Sequence, residues 1–280
     1  MRIPGFTIRK TLGTGAKSTI YEAQDHQTGD VVALKRVLVE HNDDMRFVEQ
    51  VDTELKVASQ IDNKYIRKCY RVIKRRRLLK TTEVLMTMEL FNGLPLDSMN
   101  RLSLIDVMLI FRMASIGLNE MHRSGFVHCD IKPNNILVNM GRGEIKIIDL
   151  GQSCPVGTVK ARVQGTPDYI APEQVRKQPI THRTDVFNLG AAFYWVLTGK
   201  KVPTVLPKQN DIAAGVGFEE SKKPESPSRI YSKIPMTLSN LIMDCVNANP
   251  AERPSGMHIL ISRLDDMIKT VAAKRNGKNA

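Results

Sequence analysis

The sequence predicts an α+β chain built in two lobes, a small antiparallel sheet carrying one helix followed by a mainly helical body. Three observations point there. Short β-branched and apolar runs crowd the first ninety or so residues, separated by Gly, Asn and Asp. One segment of helical period interrupts them. After Asn92, Gly93 and Pro95 the pattern changes to long helical segments, which sets a hinge at about Glu89 to Pro95. The expected division is an N-terminal lobe over 1–91, a C-terminal lobe over 92–268 and a basic flexible tail over 269–280.

Strands are expected at Phe6–Leu12, Thr19–Ala23, Val31–Val39 and Val84–Leu90. In the inserted helix, Arg46–Ile61, the apolar stripe is Phe47, Val48, Val51, Leu55 and Ala58, with Glu54 at its edge. A carboxylate placed there calls for a cation. Ser103 and Asp106 form an S-x-x-D helix start, and Leu104–Met121 is apolar nearly all round until Ser124 and Gly125 stop it. That helix is expected to be buried on most sides. Further strands fit Ile136–Val138 and Ile145–Ile148, and further helices fit Asp185–Leu197, Thr237–Asn247 and Met257–Ile268. The stretch from Lys200 to Pro235, rich in Pro, Lys, Ser and Gly, reads as mainly loop.

With 280 residues, 42% hydrophobic and 25% charged, the chain has the composition of a soluble globular protein and not of a disordered or fibrous one. No apolar run is long enough to span a bilayer, and MRIPGFTIRK lacks the apolar stretch of a secretory signal, so a cytoplasmic location is expected. Four cysteines without C-x-x-C spacing suggest reduced thiols, with neither a zinc site nor a disulfide framework. The net charge of +12 favours anionic partners. Basic residues gather at Lys74, Arg75, Arg76 and Arg77 and in Lys269–Lys278, without interleaved aromatics. That composition reads first as a solvated basic face, or as an attraction to a nucleotide, an acidic protein or a membrane surface. No specific nucleic-acid binding is expected.

The chemistry concentrates in HCDIKPNNILV, His128 to Val138, where Asp130, Lys132 and Asn135 put a carboxylate, a cation and an amide into one loop. H-x-D-x-K-x-x-N arises by chance only on the order of once in 10³ sequences of this length. A turn built on Asp130 and Asn135 accounts for the Asn and the Pro but not for the Lys between them. Further on, the apolar strand IKII runs into Asp149, Leu150 and Gly151. D-L-G alone is an ordinary turn. Beside the amide of Asn135, its carboxylate suits a hard divalent cation such as Mg²⁺.

These motifs resemble those of the eukaryotic-type protein kinase family, and the remaining motifs follow in the family's order over about residues 6–268. The resemblance implies a bilobal kinase fold, with ATP and Mg²⁺ as cofactors and protein substrates bearing Ser or Thr acceptors. Gly13, Gly15 and Ser18 match the loop over the ATP phosphates, and Lys35 and Glu54 match the paired lysine and helix glutamate. Met88, Glu89 and Phe91 fall at the gatekeeper and hinge, where backbone groups would hold adenine. Asp130 would orient the acceptor hydroxyl, Lys132 would face the γ-phosphate, and Asn135 and Asp149 would hold the metal. GTPDYIAPE, with Gly165, Thr166, Ala171, Pro172 and Glu173, matches the end of the activation segment. Asp185, Gly190 and Arg253 match residues that brace the second lobe, with Arg253 expected to pair with Glu173. Lys132 together with Thr166 resembles serine/threonine kinases and not tyrosine kinases. A nucleotide-binding pseudokinase and a small-molecule phosphotransferase stay as alternatives.

Three positions depart from the family pattern. Leu150 replaces a phenylalanine, a mild change in packing, and Ser18 replaces the third glycine of the phosphate loop while keeping a backbone N–H. Cys129 replaces the arginine that precedes the catalytic aspartate and ordinarily pairs with a phosphate on the activation segment. Its thiol reads first as inert, because the neighbouring Asp130 disfavours a thiolate, with a redox sensor as the alternative. Without that arginine, activity is expected to depend little on activation-segment phosphorylation. Thr158→Ala is therefore expected to leave turnover largely intact in a steady-state assay. A collapse of activity that a phosphate at this position restores would refute the expectation.

Overall fold

A computed structural model describes residues 3–15, 17–100, 102–203 and 223–276. The N-terminal part is an antiparallel sheet of β1 (Phe6–Thr14), β2 (Ser18–Asp25), β3 (Val31–Leu38), β4 (Cys69–Arg77) and β5 (Lys80–Met88), in the spatial order β1-β2-β3-β5-β4. Helix α1 (Met45–Ala58) lies on this sheet, burying Val48 and Val51 against Ala33, Val37, Val84, Met86 and Met88. The stripe expected from the 3.6-residue period is therefore the face that packs.

Strand β4 was not anticipated, because its basic quartet hides the alternation beneath it. Val72 packs against the α1 side of the sheet and Ile73 against the cluster of Ile3, Phe6 and Leu34 on the other side. The quartet is also more than a solvated face. Lys74 pairs with Asp52 at 2.6 Å and Arg75 with Glu83 at 2.6 Å, so two of its four cations have carboxylate partners. Strand β5 starts before the expected Val84, since Lys80–Glu83 complete the β4 hairpin, and it stops at Met88.

The C-terminal part is organised on α2 (Leu104–Arg123), whose start has the expected capping box: the Ser103 hydroxyl accepts from the Asp106 N–H at 3.2 Å. This helix packs against α4 (His182–Thr198), where Phe111 and Phe193 stack with ring centroids 3.9 Å apart. Around the pair lie α3 (Pro172–Val175), α5 (Pro227–Ile230), α6 (Met236–Cys245) and α7 (Met257–Asn276). Two small sheets complete this part. One contains β6 (Leu94–Pro95), β8 (Ile136–Asn139) and β9 (Glu144–Ile147), and the other pairs β7 (Phe126–Val127) with β10 (Cys154–Pro155).

Helix α7 runs past the expected Ile268 to Asn276, so the segment read as a flexible tail begins as helix; Ala272 and Ala273 favour the extension. Residues 277–280 lie outside those described, as do residues 204–222 of the expected loop, whose remainder contains the helical turn α5. Among the described residues, no helix is long and apolar enough to cross a membrane.

Two contacts brace this part. Arg253 donates to both oxygens of Glu173 at 2.8 and 2.9 Å, fully buried, and thereby ties the start of α3 to the loop before α7. Gly190 lets α4 and α6 touch, since a Cβ built there would fall 2.4 Å from the Cβ of Cys245. Gly190→Ala is accordingly expected to cost roughly 1–3 kcal/mol through overpacking. Urea denaturation followed by far-UV circular dichroism checks this, the midpoint falling while the slope stays unchanged.

Candidate active site

The loop from His128 to Asn135 leaves β7 and is held from below by the first turn of α4. There the fully buried Asp185 accepts the His128 N–H at 2.8 Å through Oδ2 and the Cys129 N–H at 2.9 Å through Oδ1, with His122 Nε2 at 2.8 Å from Oδ2. The backbone bends sharply enough here to put Cys129 at φ 69°, a left-handed conformation that costs a non-glycine residue on the order of 1 kcal/mol. Burial alone would raise the Asp185 pKa. The hydrogen bond to His122, nearby imidazole charge and the backbone N–H of His128 outweigh burial and hold the carboxyl below its ordinary value.

Asp130 follows, nearly buried, with its carboxylate shared. Oδ1 accepts from the Thr166 hydroxyl at 2.8 Å, Oδ2 lies 3.1 Å from Lys132 Nζ, and Lys132 Nζ itself donates to Thr166 Oγ1 at 2.8 Å. Acid, ammonium and hydroxyl therefore form a closed triangle. Asn135 lies across the loop and donates through Nδ2 to the Asp130 carbonyl at 2.9 Å. Among the described residues no donor reaches its Oδ1. The Asn135 carbonyl accepts the Ile148 N–H at 3.0 Å, which seats this loop against the strand end that carries Asp149.

Asp149 also has left-handed backbone, at φ 64° and ψ 63°, and its Oδ1 lies 3.5 Å from Lys35 Nζ. Lys35, in the middle of β3, donates to Glu54 Oε2 at 2.7 Å; the other Glu54 oxygen lies 3.5 Å from Arg67 Nη2. Glu54 is buried and not at the edge of the α1 stripe, because two cations neutralise it there. Burial works against the Lys35 ammonium, but Glu54 and then Asp149 prevail and raise its pKa, so it is charged throughout the physiological range. For Asp149, desolvation is outweighed first by Lys35 and then by His128 and Lys132, leaving its carboxyl below the ordinary value. Gly151 closes this corner: a Cβ there would meet the Gln50 Cβ at 3.0 Å and its carbonyl at 3.1 Å.

The structure thus brings Lys35, Glu54 and Asp149 into one cluster and Asp130, Lys132 and Asn135 into a second, joined through the contact of Asn135 with Ile148. Gly13, Gly15 and Ser18 bond to neither cluster; they shape the β1–β2 turn, where the Gly15 N–H donates to the Ser18 carbonyl at 2.7 Å. Glu89 and Phe91 lie at the connection between lobes. The Glu89 N–H donates to the Lys68 carbonyl at 2.9 Å, its carboxylate pairs with Lys146 at 2.8 Å, and the Phe91 carbonyl accepts the Gly93 N–H at 3.1 Å.

Four participants were not legible in the sequence: Arg67 on Glu54, Gln152 with Nε2 3.5 Å from Asp130 Oδ2, His122 on Asp185, and Gln174, which donates to the Cys129 carbonyl at 2.8 Å. None lies in a patterned stretch. A buried polar side chain at a helix terminus, such as His122, is the one signal that could have raised a question.

A family model described as a protein kinase domain matches residues 6–264. The chain is 30% identical over 257 residues to the serine/threonine-protein kinase PknA of Mycobacterium tuberculosis (strain H37Rv), covering 89% of this chain and 58% of that protein. It is 27% identical over 262 residues to the serine/threonine-protein kinase PknL of Mycobacterium bovis, covering 89% and 62%, and 27% identical over 258 residues to the serine/threonine-protein kinases drp72 of Corynebacterium efficiens, covering 89% and 48%. The chain therefore spans about half to three fifths of the length of these curated relatives.

Asp185 makes the loop's position sensitive to one carboxylate. Asp185→Asn is expected to cost roughly 1–3 kcal/mol at neutral pH, because one of the two backbone donors then faces an amide N–H. The folded-state pKa of Asp185 is depressed, so its stabilisation is present above the unfolded value of about 4 and is lost as pH falls through the lower folded value. The stability gap between wild type and variant should narrow as pH falls below ~4. Urea titrations across that range measure it.

Proposed function

This chain belongs to the protein kinase family, and from that premise we propose that it transfers the γ-phosphate of ATP to serine and threonine hydroxyls of protein substrates. Its lobes are 1–91 and 92–268, and the cleft between them takes the nucleotide. The observation that carries the reading is the triangle of Asp130, Lys132 and Thr166. A carboxylate that already accepts a threonine hydroxyl is placed to accept and orient the hydroxyl of an acceptor. The ammonium beside it faces the phosphate that the hydroxyl attacks.

Phosphoryl transfer asks mainly for positioning and charge neutralisation, because negative charge stays on the phosphate oxygens throughout. Lys35, steadied by Glu54, holds the α and β phosphates. Backbone N–H groups around Gly13, Gly15 and Ser18 cover them, and Glu89 and Phe91 present backbone groups to adenine.

Asn135 and Asp149 fit a hard cation: one offers an amide oxygen that no donor occupies, the other a half-exposed carboxylate kept ionised by Lys35. Among the described residues there is no group of three or more His, Cys, Asp or Glu suited to a metal. Such a sparse protein donor set is what Mg²⁺ uses when substrate phosphates and water complete its shell. When bound, the ion neutralises phosphate charge.

Cys129 supports the expectation that activity depends little on activation-segment phosphorylation, since it is wholly buried and presents no cation to a phosphate. The substrates of the whole protein belong to the same proposal, with their selection left to the surfaces around the cleft.

Radiolabelled ATP with a generic basic protein tests the reading. Label should enter as phosphoserine and phosphothreonine, and Asp130→Asn and Lys35→Met should each lower incorporation by about 10²-fold or more. Equal labelling in both variants would identify a contaminant. Nucleotide binding without transfer would favour a pseudokinase, and label confined to small molecules a small-molecule phosphotransferase.

A further inference from the structure

The four cysteines are all free thiols, and three lie deep in the fold. Burial pushes Cys69 and Cys245 up to about 12, which makes them poor nucleophiles. The other two meet. Pairing of β7 with β10 sets Cys154 opposite Val127, two residues before Cys129, and leaves the sulfurs 3.5 Å apart. A disulfide needs about 2.05 Å, so a small side-chain rotation closes the gap.

We propose that Cys129 and Cys154 form an oxidant-reactive dithiol site that peroxide converts into a disulfide, joining the loop of Asp130 covalently to the segment that follows Asp149. Its formation does not depend on the kinase reading; only its regulatory meaning rests on that reading.

The surroundings favour such a site. Cys129 is held from both sides, its N–H on Asp185 and its carbonyl on Gln174, so its backbone stays in place. Val127 and Ile180 complete the apolar wall, the Cys129 thiol also lies 3.4 Å from the Val127 carbonyl, and the Thr158 side chain bonds to the Cys154 sulfur. Cys154 retains 8% of its surface and Cys129 none, so a small oxidant meets Cys154 first. The Cys154 thiol is brought below its ordinary value, chiefly by the hydrogen bond with Cys129, against burial and with help from the Lys160 ammonium. Cys129 moves the opposite way, through the same contact and its burial. One thiol is thus suited to attack and the other to resolve.

The chemistry balances in two steps. The Cys154 thiolate attacks one oxygen of hydrogen peroxide; the O–O bond breaks, a sulfenic acid forms and hydroxide leaves, taking the thiol proton as water. The Cys129 sulfur then attacks the sulfenic sulfur, the S–S bond forms and a second water departs. Two thiols are oxidised and one peroxide is reduced to two waters. The resemblance puts an arginine at position 129 to grip a phosphate on the activation segment, and here a thiol pair spans the same junction. A covalent bond would then do what an ion pair does elsewhere, in response to oxidant.

The test uses the reduced full chain, titrated with hydrogen peroxide, quenched, denatured and alkylated. Arg142 and Lys146 lie between the two cysteines, so trypsin separates them. Intact mass should fall by two hydrogens, and peptide mapping should show one linked pair, Cys129 with Cys154, while Cys69 and Cys245 still alkylate. Dithiothreitol should restore the original mass. In Cys129→Ser the reaction should stop at a sulfenic acid on Cys154 that dimedone traps; Cys154→Ser should react with peroxide at least tenfold more slowly. A wild-type chain in which Cys129 and Cys154 alkylate fully while Cys69 or Cys245 is already oxidised overturns the proposal, as does a linkage to either of those residues. Mass mapping involves no phosphate transfer. A chain that forms the bond but lacks kinase activity would refute the kinase reading and leave the dithiol site standing.

Discussion

A single buried carboxylate, Asp185, governs the geometry of the site. Taking it out of water is costly, and three donors repay that cost: two successive backbone N–H groups and an imidazole. Because the two backbone donors belong to His128 and Cys129, the chain must turn abruptly there, and Asp130 emerges on the cleft side with its own carboxylate free to be shared. The strain at Cys129 persists because Asp185 and Gln174 together over-determine it. Without that anchor the triangle of Asp130, Lys132 and Thr166 would rest on a loop held only by Gln174 at Cys129 and by the contacts of His128 and Asn135 with Ile148.

The second constraint runs between the lobes. Lys35 on the sheet, Glu54 on α1 and Asp149 at the end of the strand beyond β9 form one charged chain, and Arg67 completes the neutralisation of Glu54. Backbone contacts run alongside it: the Ile147 N–H donates to the Tyr65 carbonyl at 2.7 Å, and the Arg67 N–H to the Ile147 carbonyl at 3.0 Å. Gly151, pressed on Gln50, brings the loop after Asp149 onto the same helix. Any displacement of α1 would therefore disturb both the Lys35 ammonium and the Asp149 carboxylate.

Three of the attachments of the segment after Asp149 differ in chemistry. Cys154 lies against Cys129, Thr166 is hydrogen-bonded to Asp130 and Lys132, and Glu173 is locked by Arg253. At position 129, where the resemblance puts an arginine, a thiol lies 3.5 Å from the Cys154 sulfur at this junction.

Local patterns were enough to recover much of this. Helical period, capping residues and β-branched runs located α1, α2, α4, α6 and most strands, because those signals are set by neighbours three or four residues away. Linear order also made Asp130, Lys132, Asn135 and Asp149 recognisable, since they fall within one short stretch of the chain. Strand β4 escaped, because its alternation is masked by cations whose partners, Asp52 and Glu83, lie on other elements. So did the burial of Glu54, the helical extension of α7, Arg67, and the meeting of Cys129 with Cys154. These depend on chain segments far apart in sequence being brought together, and no local pattern encodes which distant charge or thiol will arrive. Sequence alone determined the fold class and the reactive residue types; tertiary packing decided which of them touch, which are desolvated and so what each can do.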